Sequence, residues 1–288
     1  MRNESWVIAE PRTVRTTLVA NASDVGADVT ATGGPITSVV VATTAGSVRV
    51  EAHDRLDVEL DVVSLSERPL AATLTDDTFK VSYDFTGIDG IARRVQGLRD
   101  QDAAEIIVRV PRAASVRVTT VRADVTVQDL TAPVSVTTVD GSVETIAVTG
   151  AVTVSTAAGR VSVTDQSGPV AVRTATGSVR LTGRLSRVDV STISGEVSIE
   201  TAPGASAIST KSISSRVALR VPAESGVDLR VRSVTGTISL DGADLRNRGG
   251  QDGSQGGRTA LVERAEPGAT VFLTANTVSG DVVVSRTE

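Results

Sequence analysis

The sequence predicts an all-β protein, and within that class a right-handed, single-stranded parallel β-helix (a β-solenoid) with rungs of about 18 residues and an N-terminal β capping region. Three observations carry this. First, four segments repeat one pattern: VSVTTVDGSVET (134–145), VTVSTAAGRVSV (152–163), VAVRTATGSVRL (170–181) and VDVSTISGEVSI (188–199). Their glycines Gly141, Gly159, Gly177 and Gly195 stand 18 residues apart. Second, apolar and polar residues alternate within each copy, the two-residue period of a strand with one face buried. Third, the 288-residue chain is 40% apolar but only 2% aromatic. Its core must therefore be Val, Ile, Leu, Ala and Thr, and β-branched residues favour strands.

Residues 1–110 read as the N-terminal β region. It holds Trp6 and the alternating Phe79, Val81, Tyr83 and Phe85, which share one face of a strand. Aromatic packing of this kind suits a cap, which a solenoid needs to stay soluble. An early corner falls at Gly46 in VATTAGSVRV, whereas residues 84–104 lose the alternation and read as irregular. Residues 111–242 are the regular repeats. Ala123 takes the corner before Gly141, Ser215 takes it after a two-residue slip near Pro203 and Gly204, and Gly236 heads another copy. Val136, Val154, Val172 and Val190 are expected to stack inside, with Thr153 and Ser155 facing water. Glycine at the corner supplies backbone angles that a Cβ forbids. Segment 243–268, containing RNRGGQDGSQGGR, reads as a flexible loop. Residues 269–288, with Gly280, form the final rung.

Left-handed hexapeptide coils place an aliphatic residue at every sixth position. Stepping from Val134 through Asp140, Ile146, Val152 and Ala158 breaks that rule. Parallel crossovers are otherwise right-handed. A sandwich of consecutive hairpins is the competing fold, since Asp140-Gly141 and Ser194-Gly195 resemble hairpin turns.

The repeated T-x-x-G-x-V-x-V units, the Pro-led restarts VRVPRAASVRV (108–118) and LRVPAESGVDLRV (219–231), and the closing TVSGDVVV (277–284) resemble the bacterial "putative adhesin" family of β-strand repeats. WVIAEP and VEAHDRLDVELDVV are similar to the opening of such proteins, and the resemblance runs from about residue 6 to 285. It implies a repeat architecture and an adhesin-like role. The family is a domain of unknown function, so no catalytic or binding residue is implied.

Net charge is −5, with acids and arginines interspersed, which argues against nucleic acid as the main partner. No segment has the apolar length of a membrane span. MRNESWVIAEPRTVRTT has no apolar signal region, so a cytoplasmic location is expected, with the cell surface by a non-Sec route as the alternative. With no cysteine and a single histidine, His53, no nucleophile–base triad, metal site or cofactor is expected. Asp140 aligns with Ala158, Thr176 and Ser194, so Asp124, Asp129, Asp140, Asp165 and Asp189 form no acidic column. Sugar sites favour aromatic platforms, which the solenoid is expected to lack. Thr120, Thr138, Thr156, Thr174 and Thr192 continue the inward parity of the valines and are read as bonding to the corner backbone rather than ordering ice. Arginines gather in the irregular segments at Arg93, Arg94 and Arg99 and at Arg246, Arg248 and Arg258. The last three define a candidate partner-binding loop, because guanidinium forks pair with anions.

The function expected from these residues is a non-enzymatic scaffold that binds a protein or a surface polymer. The alternatives are a polysaccharide-active β-helix enzyme and a filament that associates end to end through unpaired strands.

Overall fold

The structure is a computed structural model that describes residues 3–16, 35–66, 68–83, 102–245 and 260–287. It is all-β, with 24 strands and no helix among the described residues. The chain forms two compact units, Met1–Gly141 and Ser142–Glu288.

Unit 1 contains β1 (Asn3–Ile8), β2 (Arg12–Arg15), β3 (Ser38–Ala42), β4 (Ala45–His53), β5 (Glu59–Leu65) and β6 (Leu70–Thr75). It continues with β7 (Thr78–Tyr83), β8 (Ala103–Pro111), β9 (Ser115–Thr119), β10 (Arg122–Gln128) and β11 (Val134–Thr137). Each rung gives one strand to a first ladder and, past a corner, one to a second. The first ladder runs β1, β6, β7, β3, β9, β11. Its β1–β6 and β6–β7 pairs are antiparallel and the rest parallel. The second runs β2, β5, β8, β4, β10, likewise antiparallel in its first two pairs and parallel in the others. The first rung in sequence, β3–β4, therefore lies between β7–β8 and β9–β10. Phe79, Val81 and Tyr83 are buried as their alternation requires. The Tyr83 hydroxyl donates to the Asp102 carbonyl at 2.6 Å, and Trp6 tilts over Phe79 at 6.2 Å between ring centroids. Phe85 lies outside the described residues.

Unit 2 contains β12 (Val143–Ile146), β13 (Val152–Ser155), β14 (Arg160–Arg173), β15 (Thr176–Ser191), β16 (Ser194–Thr201), β17 (Ser206–Lys211) and β18 (Ser214–Pro222). The remainder is β19 (Gly226–Ser233), β20 (Ile238–Leu240), β21 (Ala243–Asp244), β22 (Ala260–Ala265), β23 (Ala269–Thr277) and β24 (Val282–Thr287). Long β14 and β15 contribute to both ladders, bending where the register shifts near Gln166 and Gly168. Parallel pairing sets Val154 beside Val172, Val172 beside Val190, and Gly177 beside Gly195. Gly195 then faces Ser215, which is the two-residue slip read near Pro203.

Beyond that point sequence order and spatial order part. The last strands in the chain, β23 and β24, slot between β17–β18 and β19–β20. Segment 243–268, read as a loop, begins and ends in strands: β21 pairs antiparallel with β20, and β22 with β19. The exposed edge of β19 supplies the backbone partners that ALVERA, too short to show a period, could not advertise. The middle of that segment, with Arg246, Arg248 and Arg258, lies outside the described residues, as do Arg93, Arg94 and Arg99.

The interior follows the alternation. Val136, Val154, Val172 and Val190 are each no more than 2% exposed. Thr138, Thr156, Thr174 and Thr192 are buried, and each hydroxyl donates to the carbonyl two residues on, at 2.9, 2.7, 3.1 and 3.2 Å. The threonine hydroxyl thus satisfies a corner carbonyl that the ladder leaves free. That expectation is corrected at Thr120, which is buried but whose hydroxyl makes no hydrogen bond. Gly177 has φ +134°, and a Cβ there would lie 1.9 Å from the Gly159 carbonyl oxygen. Only glycine allows the two corners to stack this closely.

Candidate functional site

Two arrangements of charge stand out, one in each unit. In unit 1 the second ladder aligns Arg15, Glu59, Arg109 and Glu51 as cross-strand neighbours on β2, β5, β8 and β4. Alternating signs in adjacent strands attract. Glu59, only 8% exposed, accepts from Arg15, from Arg55 at 3.1 Å and from Arg109 at 2.8 Å. Arg109 also reaches Glu51 at 3.3 Å, and Arg55 reaches Asp57 at 3.1 Å. Burial pushes the Glu59 carboxyl up, but hydrogen bonds and charge from Arg15, Arg55 and Arg109 together hold it below its ordinary value. His53 borders this cluster at the end of β4. Its Nδ1 accepts from the Arg55 amide at 3.1 Å and its Nε2 lies 4.0 Å from Asp57. That is the geometry of a turn histidine. Each charge in the row has an opposite neighbour, so the cluster ties the antiparallel strands to the parallel ones.

In unit 2 the outward face of the first ladder is built differently. One column crosses the strands through Ser155, Arg173, Ser191, Lys211, Asn276 and Arg232. These positions follow directly after inward Val154, Val172, Val190, Thr210, Ala275 and Val231, so the pleat turns all of them to solvent. The adjoining column holds Thr153, Ala171, Asp189, Ser209, Thr274 and Arg230. Asp189 is paired with Arg187 at 2.8 Å and Arg230 with Glu263 at 2.9 Å. Arg173, Lys211 and Arg232 have no acidic partner among the described residues. Arg173 and Lys211 line a shallow depression of about 220 Å³ together with Asp189, Ser191 and Ser209. The ring of Phe272 stands on this same face, 48% exposed. The expectation that the repeats lack an outward aromatic is corrected here: the ring sits on the last rung in sequence, which β23 carries into the ladder.

The second ladder of unit 2 also carries a depression, of about 420 Å³, lined by Arg160, Ser162, Ser178, Arg180, Glu196 and Ser198. Its charges are mixed, with Glu196 standing among Arg160 and Arg180. Among the described residues no three His, Asp or Glu side chains gather in a metal-binding cluster, and no helix is long and apolar enough to cross a membrane. The acids Asp124, Asp129, Asp140, Asp165 and Asp189, considered from sequence for polysaccharide cleavage, are spread over separate turns and strands. Sequence reasoning missed the cationic column. The 18-residue period places Arg173 with Ser191, but Lys211 enters only through the slip and Arg232 only through the displaced last rung.

No curated protein matches the chain. Among solved structures it is similar to a "putative adhesin" from Bacteroides fragilis at 10% identity, covering 96% of this chain and 97% of that one, with a TM-score of 0.46. A "putative cell adhesion protein" from Clostridium sporogenes is 7% identical over 96% and 100% of the two chains, with a TM-score of 0.26. A "putative lipid binding protein" from Parabacteroides distasonis is 8% identical over 97% of both, with a TM-score of 0.36. Residues 36–285 match the family described as Toastrack DUF4097, a domain of unknown function. The chain belongs to the Toastrack DUF4097 family.

Proposed function

We propose that this chain is a non-enzymatic β-solenoid scaffold, coiled right-handed as a single-stranded parallel β-helix, that binds a partner through the outward face of the first ladder in unit 2. The observation that carries this is the column Arg173, Lys211 and Arg232, three cations on rigid strands with no acidic partner among the described residues. Backbone positions fixed on a sheet need no ordering on binding, so several weak contacts add although each long side chain still loses rotamer freedom. A surface-polymer partner brings with it the cell-surface location named above as the alternative. In unit 2 both ladders end on antiparallel strands, with β21 only two residues long. Such edges favour lateral binding over end-to-end growth.

The test is retention of the purified chain on cell-envelope preparations of its host. The charge-reversed variant Arg173→Glu/Lys211→Glu/Arg232→Glu is expected to lose retention while keeping the parent's circular dichroism. Equal retention of parent and variant would remove this face from the reading. Release of shortened sugar chains during incubation would contradict the non-enzymatic assignment.

A further inference from the structure

We infer that the column binds a linear acidic polysaccharide whose chain lies across the strands and carries one acidic group on every second sugar. The inference rests on the binding role proposed above and names its ligand class. Adjacent strands stand about 4.8 Å apart, and the cations occupy alternate strands: Arg173 on β14, Lys211 on β17 and Arg232 on β19, separated by Ser191 on β15 and Asn276 on β23. Positive charge therefore recurs about every 10 Å along the column, with a hydroxyl or amide between. An extended glycan advances by about one strand spacing per sugar. Acidic sugars meet Arg or Lys, and neutral sugars meet Ser or Asn, which donate to and accept from sugar hydroxyls.

Charge density selects this class over other polyanions. A nucleic-acid strand carries a phosphate about every 3.4 Å in a duplex and is matched by a dense basic stripe. Here the cations are sparse and the chain as a whole carries −5, which repels a dense polyanion more than a sparse one. The depression of about 220 Å³ between Arg173 and Lys211 also holds Asp189, whose charge Arg187 offsets at 2.8 Å, so it offers a seat for a neutral sugar ring beside Ser191 and Ser209.

The experiment titrates the full chain with hyaluronan, in which every second sugar is a uronate, against neutral dextran, single-stranded DNA and hyaluronan oligosaccharides of increasing length. The expected result is salt-sensitive binding of hyaluronan, no binding of dextran, and affinity that rises steeply once an oligosaccharide reaches three acidic sugars, the span from Arg173 to Arg232. The variant Arg173→Gln/Lys211→Gln/Arg232→Gln is expected to bind hyaluronan at least about tenfold more weakly, and its melting temperature to match the parent's. DNA bound as tightly as hyaluronan, or dextran bound at all, would overturn the ligand class. If hyaluronan binding ignores the substitutions while envelope retention is lost, the ligand class falls and the binding face stands. If neither responds, both fall.

Discussion

The two units use the same residue types to opposite ends. In unit 1, Arg15, Arg55 and Arg109 surround Glu59, and the row Arg15–Glu59–Arg109–Glu51 alternates in sign from strand to strand. In unit 2, Arg173, Lys211 and Arg232 stand at equivalent outward positions of a parallel ladder with Ser and Asn between them, and the nearby acid in their depression, Asp189, is paired with Arg187 instead. The first arrangement joins antiparallel strands to the parallel ladder. The second leaves charge on a fixed grid. Partly buried opposite charges contribute to holding a structure, while exposed unpaired ones contribute little to it and are available to a ligand. The difference lies in the neighbours that register supplies, since the residues themselves are alike.

The largest expected effect concerns what both units share, the valine interior. Val172→Asp places a carboxylate between Val154 and Val190 with no partner, and denaturant titration should register a loss of several kcal/mol. Stability within about 0.5 kcal/mol of the parent would reject the register. Gly177→Val comes next. Its Cβ would meet the Gly159 carbonyl at 1.9 Å with φ at +134°, so a cost of about 2 kcal/mol or more is expected. Ser178→Val on the same turn should cost less than about 1 kcal/mol. Equal costs would mean that corner stacking does not need glycine.

Glu59→Gln probes the contrast itself. At neutral pH it leaves three guanidinium groups short of a carboxylate, and a loss of about 1–3 kcal/mol is expected. Because the folded Glu59 carboxyl titrates below its ordinary value of 4.5, its contribution is present above that value and is lost as pH falls through the folded one. The gap between parent and Glu59→Gln melts should therefore close on acidification below about pH 4.5. A gap that widens there would contradict the assigned role. Phe272→Ala should have the smallest effect. The ring stands four residues along β23 from Asn276, about 14 Å off the column, so affinity for a linear hyaluronan chain should change by less than about twofold. A larger loss would shift the proposed path of the polymer toward the ring.

Much of the frame was legible because short-range chemistry sets it. Alternation identified Val136, Val154, Val172 and Val190 as interior, and the inward parity of Thr138 through Thr192 identified their bonds to corner carbonyls. The Pro203–Gly204 slip was visible as a break in period. The displaced rungs were not. Nothing local in β3–β4 or β23–β24 says that another rung will close outside them, since a parallel ladder accepts any strand of matching parity. The cationic column inherits this blindness, because Arg232 meets it only after β23 is interposed. The unit 1 row was hidden for a related reason: Glu59 meets Arg15 and Arg109 from 44 and 50 residues away, through antiparallel returns that no 18-residue repeat encodes.

Thermal melting with and without saturating hyaluronan, on the parent, on Glu59→Gln and on Arg173→Gln/Lys211→Gln/Arg232→Gln, tests the contrast most directly. A ligand that binds only the folded state at about a hundred times its dissociation constant stabilises it by about 2.7 kcal/mol. The account predicts that hyaluronan raises the melting temperature of the parent and of Glu59→Gln by the same amount, although Glu59→Gln starts lower. The triple variant should start at the parent's temperature and show no rise. A rise that survives in the triple variant, or one that vanishes in Glu59→Gln, would contradict the division between charges that hold the fold and charges that bind.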